Sequence, residues 1–264
     1  MRLKFPVNFN VDYPEKNSLY YSGIDKKVIL EKLMQSCDSY CMYCGKSIIT
    51  DDKAEFNIEH SLEKSMQVDG QNFLENCKYN LSIACPSCNQ KYKTRMVDRV
   101  SEELLNVKVE CSEKKCNEIC DEYRKILNEY LTRNYIILQP NCIDDKLKGY
   151  TIDYNLIKHI FEPGKECRDE SSIKFISEHI ARFHLNREMY TQSVLRICEK
   201  IYETICLLRN LGTNISIQDS LKFIKKQRYN NIMEKIFIEF VEERFKNIDE
   251  LEEYCKLSII LNYI

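Results

Sequence analysis

"NLSIACPSCNQKYKTR", residues 80–95, decides how this chain folds: an apolar run, a close cysteine pair, an asparagine and a cluster of cations follow one another directly. A redox pair, a metal knuckle and a turn with incidental cysteines are three readings of it, and the choice depends on what stands upstream. There, Cys41-Met-Tyr-Cys44 forms a second pair of the same spacing as Cys85-Pro-Ser-Cys88. Two thiolates spaced this way grip one zinc ion, and two such pairs complete a tetrahedral four-cysteine site. Gly45 follows the first pair directly, where the chain must turn sharply to aim both sulfurs inward. A thioredoxin-like redox motif needs a βαβ context around a single pair, and the neighbourhood offers none.

The composition suits a folded, helix-rich chain. Of 264 residues, 44% are hydrophobic and 30% charged, with only 6 Gly and 5 Pro to punctuate the elements, which favours long helices over a many-turned β fold. The net charge of −2 cannot by itself attract nucleic acid, so any such affinity must come from a local basic patch, a metal or a partner. Fourteen cysteines raise the idea of a secreted disulfide scaffold. The opening "MRLKFPVNFNVDYPEKN" lacks the apolar core of a signal peptide, and the chain has apolar residues enough to need no disulfide staples. No run approaches the ~18 apolar residues of a membrane span. A cytoplasmic protein with no membrane partner, its cysteines reduced or bound to metal, is the expectation.

Periodicity predicts a helix over 25–38 behind Asp25 as N-cap, then short strands over 46–50 and 54–59 around an Asp-Asp-Lys turn. Apolar character returns over 79–84, and Pro86 suits the first turn of a short helix. Residues 112–133 read as helix, "YTIDYN" as a strand and "EPGKE" as a turn. Helical segments follow near 171–184, 186–210, 217–228, 230–246 and 248–261. The expected fold is α+β, mostly helical, in three parts: an N-terminal segment 1–36 whose helix packs on the core, a zinc-pinned core 37–99, and a helical extension 100–264 for docking a partner or substrate.

Function enters with the residues between the cysteine pairs. Ile58-Glu59-His60 closes the second strand, Asn80 opens the apolar run, and Asn89 follows Cys88. A zinc tying the two pairs together draws these four side chains, a base, a carboxylate and two amides, around one small space. "CMYCG … NIEH … YNLSIACPSCNQKYK" resembles the HNH endonuclease motif, a ββα-metal fold pinned by zinc between two CxxC pairs. The resemblance covers residues 37–99. It implies His60 as general base, Glu59 and Asn89 as ligands of a catalytic Mg2+ (or Mn2+), and Asn80 as the residue that orients the base. Many members carry histidine at the last position. Asparagine here makes an H-N-N variant that suits hard Mg2+ better than softer metals.

The chemistry is reasonable on its own terms. A neutral imidazole, with an ordinary pKa near about 6.5, can take a proton from water at physiological pH. Outside this constellation, a strand-end histidine would be a satisfied structural residue. Lys91, Lys93, Arg95 and Arg99, opposed only by Asp98, form a basic skirt that reads either as phosphate contacts or as an ordinary solvated face. Lys93 has the better claim, since the resembled motif often carries lysine there. Cys111, Cys116 and Cys120 read as buried helix cysteines, and His179 and His184 as structural or surface residues.

Residues to about 200 add a looser likeness. "LQPNCIDD", a strand, then "ISEHIARFHLNREMYTQSVLRI" resembles the tail of one HNH subgroup, the PtuB nucleases of Septu and retron-linked anti-phage defence, with Leu185-Asn186 and Arg187 or Arg196 as the equivalents. That subgroup implies an ABC-type, PtuA-like ATPase as partner and a DNA or RNA substrate. Two other readings stay open: a zinc-knuckle module that binds nucleic acid or protein without catalysis, and a stand-alone restriction or homing nuclease.

Overall fold

The computed structural model describes residues 1–63, 74–106, 117–138, 140, 147, 149–212 and 215–263. Along the chain these form β1 (Arg2–Phe5), α1 (Lys26–Ser36), β2 (Ile49–Thr50), β3 (Lys53–Ala54), β4 (Asn57–His60) and β5 (Leu81–Ala84). A π-helical turn (Ser87–Lys93) precedes α2 (Glu102–Leu105) and α3 (Asp121–Asn134), and then β6 (Ile152–Asn155) and β7 (Ile160–Pro163). Helices complete the chain: α4 (Glu170–Arg182), α5 (Glu188–Thr191), α6 (Ser193–Asn210), α7 (Ile217–Leu221), α8 (Ile232–Arg244) and α9 (Ile248–Tyr263). Small sheets in a helical framework make the fold α+β. Among the described residues, no helix is long and apolar enough to cross a membrane.

Two compact units divide these elements: residues 6–151 with 165–183, and residues 1–5, 152–164 and 184–264. The boundary expected near residue 100 lies inside the first of these. That unit holds the cysteine pairs. Its α1 buries Ile29 and Leu33 completely, each contributing roughly 1.5–3 kcal/mol, and α3 buries Tyr123, Ile126, Leu127, Tyr130 and Leu131 at helical spacing. Asp25 precedes α1 but its side chain caps nothing; its carboxylate accepts from Ser18 Oγ instead, which corrects the expected N-cap. At the next turn, Asp51 and Asp52 both take positive φ (48° and 62°), which gives the β2–β3 hairpin the twist it needs.

Within the same unit, α4 starts with a capping box in which Asp169 accepts from Ser172 N–H at 2.8 Å. It carries His179, whose Nδ1 accepts from Ile137 N–H at 3.1 Å. Burial pushes the His179 pKa down to about 3, from an ordinary value of 6.5. The unfolded chain therefore binds a proton that the folded chain refuses. The stability carried by the neutral ring is complete above pH 6.5 and is lost progressively as the pH falls toward 3. Acid titration should show a slope of roughly 1.4 kcal/mol per pH unit in that window from this group. Unfolding experiments on His179→Asn should show a flatter pH dependence.

The other unit is built on a three-stranded antiparallel sheet in the order β1-β6-β7. Leu3 and Phe5 face inward from β1, and the Phe5 ring meets Phe161 edge-on at 5.5 Å. Nothing in the sequence reading anticipated β1, whose partner β6 (Arg2↔Asn155 to Phe5↔Ile152) lies far along the chain. Asn186 anchors β7 by accepting from Phe161 N–H (2.6 Å) and donating to its carbonyl (2.9 Å). The long α6 buries Val194, Ile197, Cys198, Ile201 and Ile205 along one face and packs on α5, α7, α8 and α9. Ser216 with Asp219 caps α7, and Asn231 caps α8 by accepting from Met233 N–H.

Candidate functional site

Both cysteine pairs sit on tight turns at one end of the β4–β5 hairpin. Gly45, at φ 68°, lets its N–H reach the Cys41 carbonyl (2.8 Å), which closes the first turn over Cys41–Cys44. The Met42 N–H donates to the Ile83 carbonyl at 3.1 Å and lays this turn alongside β5. The second pair follows β5 directly, and the Asn89 N–H bonds the Cys85 carbonyl at 3.1 Å. All four sulfurs are buried and lie within 4.8 Å of one another.

This geometry fits zinc. Cys44 Sγ and Cys85 Sγ are 3.9 Å apart, against the roughly 3.8 Å implied by tetrahedral Zn–S bonds of about 2.3 Å. The four sulfurs cannot all ionise on their own: burial pushes the Cys41 and Cys88 thiols up, while hydrogen bonds from the other three sulfurs pull Cys85 down. A dication resolves that conflict. Among the described residues no other group of His, Cys, Asp or Glu converges in this way. Cys120 is exposed and precedes α3, which corrects its reading as a buried helix cysteine; Cys111 and Cys116 lie outside the described residues.

From this pin the hairpin runs in register Asn57↔Ala84, Ile58↔Ile83, Glu59↔Ser82 and His60↔Leu81. His60, 7% exposed, bonds the Glu75 carbonyl through Nε2 at 2.9 Å. A carbonyl only accepts, so Nε2 carries a proton, and Nδ1 is the nitrogen that holds the lone pair whenever the ring is neutral. Asn80 does not act on the ring itself. Its Oδ1 accepts from Leu62 N–H (2.8 Å) and Tyr123 Oη (3.1 Å), and its Nδ2 donates to the Leu62 and Leu74 carbonyls (both 3.2 Å). Asn80 thus holds the chain on either side of residues 64–73 and, through Leu74, the neighbour of the carbonyl that orients His60. Asn80→Ala would strand these buried partners at a cost of roughly 2–4 kcal/mol, to be read as a lower urea midpoint.

Glu59 is committed elsewhere. It is 1% exposed, its Oε2 accepts from Tyr43 Oη and Ser82 Oγ (2.6 Å each), and its Oε1 is ion-paired with the Lys93 ammonium. Lys93, 2% exposed, also pairs with Glu63 at 3.3 Å and donates to the His60 carbonyl. Tyr130 Oη donates to the same Glu63. Two expectations are corrected here. Lys93 is an internal counter-ion and presents nothing to a phosphate in solvent. Glu59, 1% exposed and ion-paired with Lys93, turns no oxygen toward solvent where a Mg2+ could sit, although its Oε1 makes no hydrogen bond within the network, and Asn89 is half-buried beyond Cys88.

The remaining cations of the skirt, Lys91, Arg95 and Arg99, are exposed on and just after the π-helical turn. The residues missed in the sequence are those that complete the network, Tyr43, Glu63, Ser82 and Tyr130. The cross-strand register was the only available signal, since Ser82 stands opposite Glu59. No family model, curated protein or solved structure matches the chain.

Proposed function

We propose that the hairpin pinned by the four cysteines is the core of an HNH-type endonuclease that hydrolyses phosphodiester bonds of DNA or RNA. The observation that carries this reading is His60, held in one tautomer by the Glu75 carbonyl at the end of the strand pair opposite the four cysteines fit for structural zinc. In the reaction, His60 Nδ1 takes the proton of the attacking water, and the Nε2–H bond to Glu75 supports the imidazolium that results. Lys91, Arg95 and Arg99 are placed to meet the phosphate backbone. Asn80 keeps the chain beside the base in register. No step is routed through Mg2+, because Glu59 is not available to hold it.

Zinc-loaded protein should cut plasmid DNA or cellular RNA. His60→Ala should lower the rate about 10²–10⁴-fold while leaving the zinc content unchanged. Parallel reactions in Mg2+ and in EDTA measure the divalent-ion requirement directly. Cutting that survives His60→Ala overturns the assignment of the base. On the looser subgroup likeness, the helical extension docks an ABC-type ATPase, and stimulated cutting in its presence is the corresponding result.

A second reading has its own support. The buried Glu59–Lys93 pair is what a zinc-knuckle binding module would keep, since such a module needs a rigid core and no open carboxylate. Undiminished nucleic-acid binding without cutting, alone and with the ATPase, is the outcome that favours it.

A further inference from the structure

The segment ahead of α1 runs as a strap across the residues that lead into β5, and three contacts pin it there. Lys78, 1% exposed, donates its ammonium to the Pro14 carbonyl and, at 3.4 Å, to that of Glu15. Tyr13 meets Tyr79 edge-on, with ring centroids 4.8 Å apart. Asn76 Oδ1 accepts from Tyr21 N–H (2.9 Å) and Ser22 N–H (3.3 Å). A buried lysine that bonds two backbone carbonyls ties the strap to this turn, because a buried ammonium needs such acceptors.

The end of the strap meets the candidate base. The Tyr21 ring stands at 66° to the His60 imidazole with centroids 4.5 Å apart, and Lys26 Nζ lies 5.4 Å from the Tyr21 centroid. The residues that hold Tyr21 and His60 are neighbours: Asn76 fixes the Tyr21 backbone, and Glu75 accepts from His60 Nε2. The imidazole is therefore gripped on two sides by groups tied to one turn. A hydrogen bond at one nitrogen sets the tautomer; a wall against the ring keeps it from rotating out of that bond.

We propose that Tyr21 is a positioning residue for His60, and that the strap of residues 13–22 is an integral part of the site rather than a leader to α1. The consequence for rate rests on the reading of His60 as general base; the consequence for the imidazole does not. Tyr21 acts through its ring, so phenylalanine should replace it and alanine should not.

The test uses the full, zinc-loaded chain labelled with ¹⁵N-histidine. Long-range ¹H–¹⁵N correlation reports which ring nitrogen carries the proton in each of the 4 histidines, and His60→Gln assigns the signal. Wild type and Tyr21→Phe should show His60 in a single Nε2–H form. Tyr21→Ala should show a mixture of both tautomers and, in cleavage, lose roughly 10–100-fold in kcat with KM unchanged. Asn76→Ala, which releases the Tyr21–Ser22 end of the strap while keeping the Tyr21 ring, should shift the same signal in the same direction and serves if Tyr21→Ala fails to fold. An unaltered His60 signal in both variants overturns the proposal whether or not the protein cuts nucleic acid. A mixed signal in a protein that never cuts retains the clamp and removes the nuclease reading.

Discussion

Stripping zinc from this protein, or replacing Cys88 by Ser, is expected to unfold the hairpin core rather than merely to loosen it. Four buried sulfurs hold together turns far apart in sequence, and the strands between them are only four residues long. Strands of that length in a two-stranded pairing are marginal without further support. Structural zinc contributes on the order of 10–16 kcal/mol in small metal-folded domains, comparable with or larger than the ~5–15 kcal/mol that separates most folded domains from the unfolded state. Metal analysis should therefore find one zinc per chain. Chelation should abolish the near-ultraviolet tyrosine signal of Tyr43, Tyr79 and Tyr123 and open the β4–β5 amides to hydrogen exchange. A chelated protein with an unchanged melting temperature and unchanged exchange would show that the thiols pack without metal.

The second large effect is expected at Lys93. Lys93→Met removes the only described cation paired with both Glu59 and Glu63 and strands two carboxylates in the interior, a loss of about 3–5 kcal/mol. Burial alone would lower the Lys93 pKa, but the facing carboxylates of Glu59 and Glu63 outweigh it and raise the value above 10.5. The contribution is thus full below pH 10.5 and fades only as the pH climbs through the raised value, so the variant should be weaker across the whole physiological range. Glu59→Gln should cost much less in the Lys93→Met background than in wild type, because the two residues act as one unit. Additive losses in that double-mutant cycle would mean that the pair is not coupled.

The different outcomes for Lys91 and Lys93 show where sequence reading stops. Both are lysines two apart on one basic run, yet one is exposed and the other is sealed against Glu59 and Glu63. A run of cations looks uniform when only spacing is known. Its burial depends on which residue of the turn faces β4, and residues two apart on a helical turn point to nearly opposite sides, so only Lys93 meets Glu59. Glu59 was misjudged for the same reason. Its neighbour His60 marked it as a site residue, while the partners that neutralise it, Tyr43, Ser82 and Lys93, come from three other segments.

What the sequence determined by itself were the features governed by local chemistry. Two CxxC pairs with a glycine after the first gave the four-cysteine cluster that could hold a metal, because ligand spacing and turn geometry are short-range. Apolar periodicity gave most of the helices, because each follows from side chains a few residues apart; the run 79–84 was legible only as apolar, and its pairing with β4 makes it β5. Only the tertiary structure decided the rest. The pairing of β1 with β6, the strap that carries Tyr21 to His60, and the closure of the Glu59–Lys93–Glu63 network all join residues distant in the chain. Such contacts form because a buried charge must find a counter-charge and a buried strand edge a partner, and the choice among many candidates is made only when the whole core packs.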